Sequence, residues 1–174
     1  QGTLTLAGAN TYTGGTNVYA GTLLVGAGGK LGNDNNTLLV DGGTVDLGTT
    51  TQNQNTGVTL KSGAITNGTL SSTGYFNVES GSISAILAGT APLTKSTSGT
   101  VTLSGANTFT GATAINGGVL AISSDANLGN TANSLSFNTG TLQFGANFNL
   151  ANTRPITLNA GGGTLDTNNF ATII

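Results

Sequence analysis

The sequence predicts an all-β protein: a single-stranded right-handed parallel β-helix (β-solenoid) of about nine rungs of about 20 residues each. Three observations carry that expectation. A long stretch of chain returns at a fixed offset, a shorter glycine-led period runs inside it, and short apolar-polar alternations are separated by turn residues.

The long period comes first. Gly2-Thr3-Leu4-Thr5-Leu6-Ala7-Gly8-Ala9-Asn10-Thr11-Tyr12-Thr13-Gly14 returns 97 residues later as Gly99-Thr100-Val101-Thr102-Leu103-Ser104-Gly105-Ala106-Asn107-Thr108-Phe109-Thr110-Gly111. Leu31-Gly32-Asn33 matches Leu128-Gly129-Asn130, and Gly43-Thr44-Val45-Asp46-Leu47-Gly48 matches Gly140-Thr141-Leu142-Gln143-Phe144-Gly145 at the same offset. Val58-Thr59-Leu60 then aligns with Ile156-Thr157-Leu158 at 98, as a loop that gained one residue would give. The chain therefore divides into a first repeat unit, 1–97, and a partial second unit, 98–174.

The short period appears wherever glycine precedes a small and then an apolar residue: at Gly2, Gly21, Gly43, Gly63, Gly81, Gly99, Gly118, Gly140 and Gly163, with gaps of 18 to 23 residues. Such a gap suits one turn of a solenoid. Leu4-Thr5-Leu6, Val45-Asp46-Leu47, Val101-Thr102-Leu103, Leu120-Ala121-Ile122 and Leu142-Gln143-Phe144 alternate with period two, which makes one face of each apolar and describes strands rather than helices. A rung of this length has four or five apolar side chains to bury, each stabilising by roughly 1.5–3 kcal/mol, against a backbone entropy cost of about 1–2 kcal/mol per residue. One rung alone is unstable; stacked rungs hydrogen-bond to, and pack on, both neighbours. Asn10 and Asn107, at equivalent turn positions, are expected to form side-chain amide ladders where adjacent rungs also offer amides. Open sheet edges call for caps or further rungs beyond Gln1 and Ile174.

Composition narrows the function. Four Lys or Arg against six Asp or Glu give a net charge of -2, which provides no basic footprint for nucleic acid. Cysteine, methionine, tryptophan and histidine are absent, so there is no disulfide framework, thiolate nucleophile or imidazole ligand. No apolar run approaches the 18 or more residues of a membrane-spanning helix, so direct membrane insertion of this segment is not expected.

The run from Gly2 to Thr16, with Gly21-Thr22-Leu23 and Leu31-Gly32-Asn33, resembles the autotransporter-associated β-strand repeat, as does its copy from Gly99 to Asn130. The resemblance implies a passenger domain of a bacterial type V secreted autotransporter: a right-handed β-helix exported across the outer membrane by a C-terminal β-barrel and displayed at the cell surface. It further implies an adhesin, a biofilm factor or a stalk that presents an effector domain. The partners expected are neighbouring rungs of the same longer chain or end-to-end stacked copies, and host or bacterial surface glycans or proteins. A subunit of a secreted filament is the first alternative, and a β-helical carbohydrate-active enzyme the second.

Glycoside cleavage needs two acids in apposition, whereas Asp34, Asp41, Asp46, Glu79, Asp125 and Asp166 are scattered; only Asp34, Asp41 and Asp46 lie on neighbouring rungs. Asn33-Asp34-Asn35-Asn36 is a single polar loop without the repeated carboxylates of calcium-binding solenoids. Thr3 and Thr5, Thr11 and Thr13, Thr100 and Thr102, and Thr108 and Thr110 form Thr-x-Thr pairs, the pattern of an ice-binding face, but Leu24 breaks the row. Tyr12, Tyr19, Tyr75 and Phe76 are candidate glycan contacts, although the exchange of Tyr12 for Phe109 points to packing rather than a used hydroxyl. Phe137, Phe144, Phe148 and Phe170 are assigned to the core or its turns, and Lys30, Lys61, Lys95 and Arg154 are read as isolated surface charges. No catalytic, cofactor-binding or metal-ligating residue is assigned, and the expected activity is structural and adhesive rather than enzymatic.

Overall fold

Residues 1–173 are described in a computed structural model; Ile174, the last residue of the predicted second unit, lies outside them. Strands of three to ten residues wind into a solenoid in which every strand pairing is parallel. Among the described residues one short 3-10 helix, Asp125–Leu128, interrupts the strands and turns.

The strands stack into three faces. Face 1 runs from Thr16–Val18 through the first halves of Thr37–Asp46 and Gly57–Thr66, then Phe76–Val78, Leu93–Lys95, Thr113–Ile115, Leu135–Phe137 and Ile156–Leu158. Face 2 starts at Thr3–Leu6 and Thr22–Val25, takes the second halves of the two long strands, and continues through Gly81–Ile83, Thr100–Leu103, Val119–Ile122, Thr141–Phe144 and Thr164–Asp166. Face 3 is regular only at Thr51–Asn53, Thr69–Ser72 and Ile86–Gly89. The nine glycines picked out by the short period stand at the starts of the nine face 2 strands, so nine rungs in sequence are nine levels enclosing eight full turns.

Inward columns follow from the period-two alternation. On face 2 one column reads Leu4, Leu23, Val45, Ile65, Ile83, Leu103, Ile122 and Phe144. On face 1 the matching column reads Val18, Val40, Leu60, Val78, Lys95, Ile115, Phe137 and Leu158. Each buried aliphatic side chain thus lies over another, and the core is one continuous strip.

The two repeat units do not meet in simple register. The counterpart of Leu4 is Val101, yet the column that starts at Leu4 arrives at Leu103, because Gly81 pairs with Val101. Val78 and Ile83 are five positions apart, and the residues stacked on them, Lys95 and Leu103, are eight apart. The corner between faces 1 and 2 is therefore wider at this seam than one turn earlier.

Candidate functional site

The feature built twice is a braced loop. In the first unit the Asn10 side-chain amide donates to the Lys30 carbonyl (3.1 Å) and the Asn36 amide to the Tyr12 carbonyl (2.8 Å). In the second, Asn107 donates to the Asn127 carbonyl (2.6 Å) and Asn133 to the Phe109 carbonyl (2.9 Å). The backbone repeats as well: Asn33 N–H donates to the Tyr12 carbonyl as Asn130 N–H donates to that of Phe109. Gly32 and Gly129, both left-handed, bring this turn against the Tyr12 or Phe109 ring, where a Cβ would collide. The expected amide-to-amide ladder is corrected by this geometry. Asn107 also accepts from Leu87 N–H (2.8 Å), so its amide spans three turns through backbone groups, which otherwise lack strand partners at the corner.

The turn above each loop sends polar side chains inward to satisfy it. Gln52 accepts from Leu31 N–H (2.8 Å) and donates to the Gly29 carbonyl (3.0 Å), and Gln54 donates to that of Leu31 (3.0 Å). In the second unit Arg154 does this work. Its guanidinium pairs with both Asp125 carboxylate oxygens at 3.1 Å and donates to the carbonyls of Asn130 (3.2 Å) and Asn133 (3.1 Å), with the side chain wholly buried.

The reading of Arg154 and Lys95 as surface charges is therefore overturned. Lys95 occupies an inward position between Val78 and Ile115 and is fully buried. Its ammonium reaches into the widened corner at the seam, donating to the carbonyls of Thr97 and Gly117, the latter at 3.3 Å. Burial lowers its pKa, and the charge of Glu79 works against that shift. A lysine whose folded pKa lies below its unfolded value binds its proton less readily in the fold. The charged form penalises folding at neutral pH, and the penalty fades as pH rises from the folded pKa toward the unfolded one. Lys95→Met is expected to flatten the alkaline rise of melting temperature relative to the parent; superimposable pH profiles for the two proteins would contradict it.

Lys30 and Lys61 do lie at the surface, but each is paired, with Asp34 at 2.9 Å and Asp41 at 3.8 Å. The hydrogen bond from Lys30, joined by one from Asn53, holds the Asp34 carboxyl below its usual range. Asp46 accepts from Gly48 N–H and the Asn67 amide, both at 2.8 Å. The Gln143 amide (2.8 Å) and Asn168 N–H lower the pKa of Asp166. Among the described residues no three carboxylates gather into a metal-binding group. Threonine pairs point outward at Thr3 and Thr5 and at Thr100 and Thr102, but Leu24, Asp46 and Ala121 interrupt the stack on face 2, and Thr11, Thr13, Thr108 and Thr110 lie outside its strands.

Of the aromatics weighed as contacts, Phe76 is fully buried, its ring 6.1 Å from that of Phe109, and Tyr75 lies half-buried over Gly57. Tyr19 is exposed. Tyr12 departs from the packing reading: its hydroxyl hydrogen-bonds Thr16 Oγ1 at 2.7 Å and the residue is 39% exposed, whereas Phe109 is 0% exposed. Phe137 and Phe144 are core, Phe148 packs against Phe144 (centroids 4.9 Å apart), and Phe170 is partly buried.

Residues 1–25 and 93–122 match the passenger-associated-transport-repeat family. These two stretches resemble autotransporter passenger repeats, and together they cover less than half of the chain. Shifted by the long period, the two matched windows fall on the same part of the unit: the first face 2 strand, the loop holding Asn10 or Asn107, and the next turn. A stretch of 91 residues, 52% of the chain, is 46% identical to the Adhesin BmaC autotransporter of Brucella suis biovar 1 (strain 1330), and it spans 3% of that protein's length. No solved structure matches the chain. The asparagines and the Leu-Gly-Asn turn that recur between the two units of this chain brace its loops. Asn133→Ala, which strips the buried Phe109 and Leu128 carbonyls of a donor, is expected to cost roughly 1–3 kcal/mol in denaturant melts. An unchanged midpoint would show that the brace contributes nothing.

Proposed function

We propose that this segment is a non-catalytic, rigid stalk in a surface-displayed adhesin passenger, holding binding surfaces away from the outer membrane and adding weakly charged contact area of its own. The observation that supports it most is the unbroken parallel stack of passenger repeats around one apolar strip. Nine levels at about 4.8 Å each give a rod of roughly 40 Å for this segment alone. Likeness to a protein named as an adhesin supports the adhesive role, and the dispersal of the carboxylates supports the absence of hydrolysis.

The test uses the parent protein on cells. Deleting 2–98 in frame joins Gln1 to Gly99 and removes five levels, roughly 24 Å of rod. Display and receptor binding are expected to persist with the distal end brought closer to the cell. Failure to find the segment outside the cell by surface proteolysis, or glycan cleavage by the purified chain, would overturn the reading.

A further inference from the structure

The first turn contains three glycines that nothing around them requires. A Cβ built on Gly2 or Gly14 meets no atom within 4 Å, and one on Gly8 meets only Asn10 Oδ1 of its own turn, at 3.9 Å. None of the three has a positive φ. Their counterparts in the second unit have no such freedom. A Cβ on Gly99 would stand 2.7 Å from the Glu79 carbonyl, and on Gly105 and Gly111 it would press into the carbonyls of Ala85 and Ala91. In the second unit these glycines are small because the backbone of the preceding turn lies against them.

The hydrogen bonds tell the same story. Ser104, Thr108 and Thr110 donate N–H groups to the carbonyls of Ile83, Leu87 and Gly89 in that preceding turn, and Leu87 N–H reaches back to Asn107 Oδ1. The counterparts Ala7, Thr11 and Thr13 have no corresponding acceptor among the described residues. Side chains follow suit: Val101 and Phe109 are 0% exposed, while Leu4 is 63% exposed and lines, with Leu6, Tyr12, Val18 and Tyr19, an open groove of about 270 Å³.

We infer that this N-terminal face is a docking surface for one kind of occupant: the closing turn of a further copy of the 97-residue unit, lying ahead of it in the same polypeptide and built like residues 76–97. The seam inside the chain shows that interface already made, between residues 76–92 and 99–111, with the glycines, donors and apolar side chains of the first turn all in use. A second molecule stacked head to tail fits less well. The far end of the described solenoid is the level of Thr164–Asp166, the fourth of its unit, whereas the seam is closed by the fifth level of the first unit, the one that holds Phe76–Val78 and Gly81–Ile83. The inference rests on the duplicated interface and stands whether or not the passenger is an adhesin.

The test extends the chain by a copy of residues 76–97 placed before Gln1. In the original chain Gly8→Ala and Gly14→Ala are expected to leave the melting temperature unchanged; in the extended chain each lowers it by several degrees, as Gly105→Ala and Gly111→Ala do in both. Should the second-unit variants fail to fold, the contrast at Gly8 and Gly14 between the two chains decides alone. The inference is overturned if both substitutions stay neutral after extension, or if hydrogen exchange shows the added turn unprotected. It is overturned in favour of a second copy if the original chain sediments as a dimer that Gly8→Ala or Gly14→Ala dissociates.

Discussion

Gly63→Ala is expected to destabilise the solenoid by roughly 2–6 kcal/mol, the sum of left-handed backbone strain and steric overpacking. Gly63 has φ of +93°, and an added Cβ would run into the Gly43 carbonyl one turn below; Gly81, at φ +110°, stands in the same relation to the Gly63 carbonyl. The obstacle is backbone on both sides, held by strand pairing, so no rotamer change relieves it. Gly162 separates the two contributions. Its φ is +65° but nothing lies within 4 Å of a Cβ there, so Gly162→Ala should show strain alone, about 1 kcal/mol or a little more. Equal midpoints for the variants at 63 and 162 in urea would refute the collision argument.

Arg154→Met is expected to cost about 3–5 kcal/mol, the range for breaking a buried pair from one side. The substitution removes the partner of the mostly buried Asp125 carboxylate and the donors of two loop carbonyls together. Arg154→Lys should rescue little, since an ammonium cannot span both Asp125 oxygens and the Asn130 and Asn133 carbonyls at once. Pairing Arg154→Met with Asp125→Asn should recover part of the loss, because the stranded charge is gone. A double variant no more stable than Arg154→Met would show that the carbonyl contacts, and not the ion pair, hold the loop.

The sequence made the architecture readable because the solenoid imposes its geometry residue by residue. A glycine-led start recurs wherever the backbone of the preceding turn approaches closely at the entrance to face 2, and alternation follows from strands with one buried side. Much of face 3 was not legible, since only three of its levels are regular strand and the rest is loop held by side chains. Lys95 and Arg154 were misread because charge ordinarily means surface. The available signal was positional: Lys95 follows Leu93 at the two-residue spacing that puts Ile115 inward after Thr113. Arg154 offered no comparable sign, because its partner Asp125 is 29 residues away and joined to it only through the stacking of loops. The step in register at the seam was equally silent, since both units begin with the same thirteen-residue pattern.

Because each turn touches only the turns on either side, the molecule resembles a pile of coins more than a vault. Adding or losing a whole 97-residue block leaves every remaining neighbour with the surroundings it had before. Genetic duplication can therefore change the reach of such a protein without redesigning a single interior position, and lineages are free to vary in height while keeping one recipe for the tile.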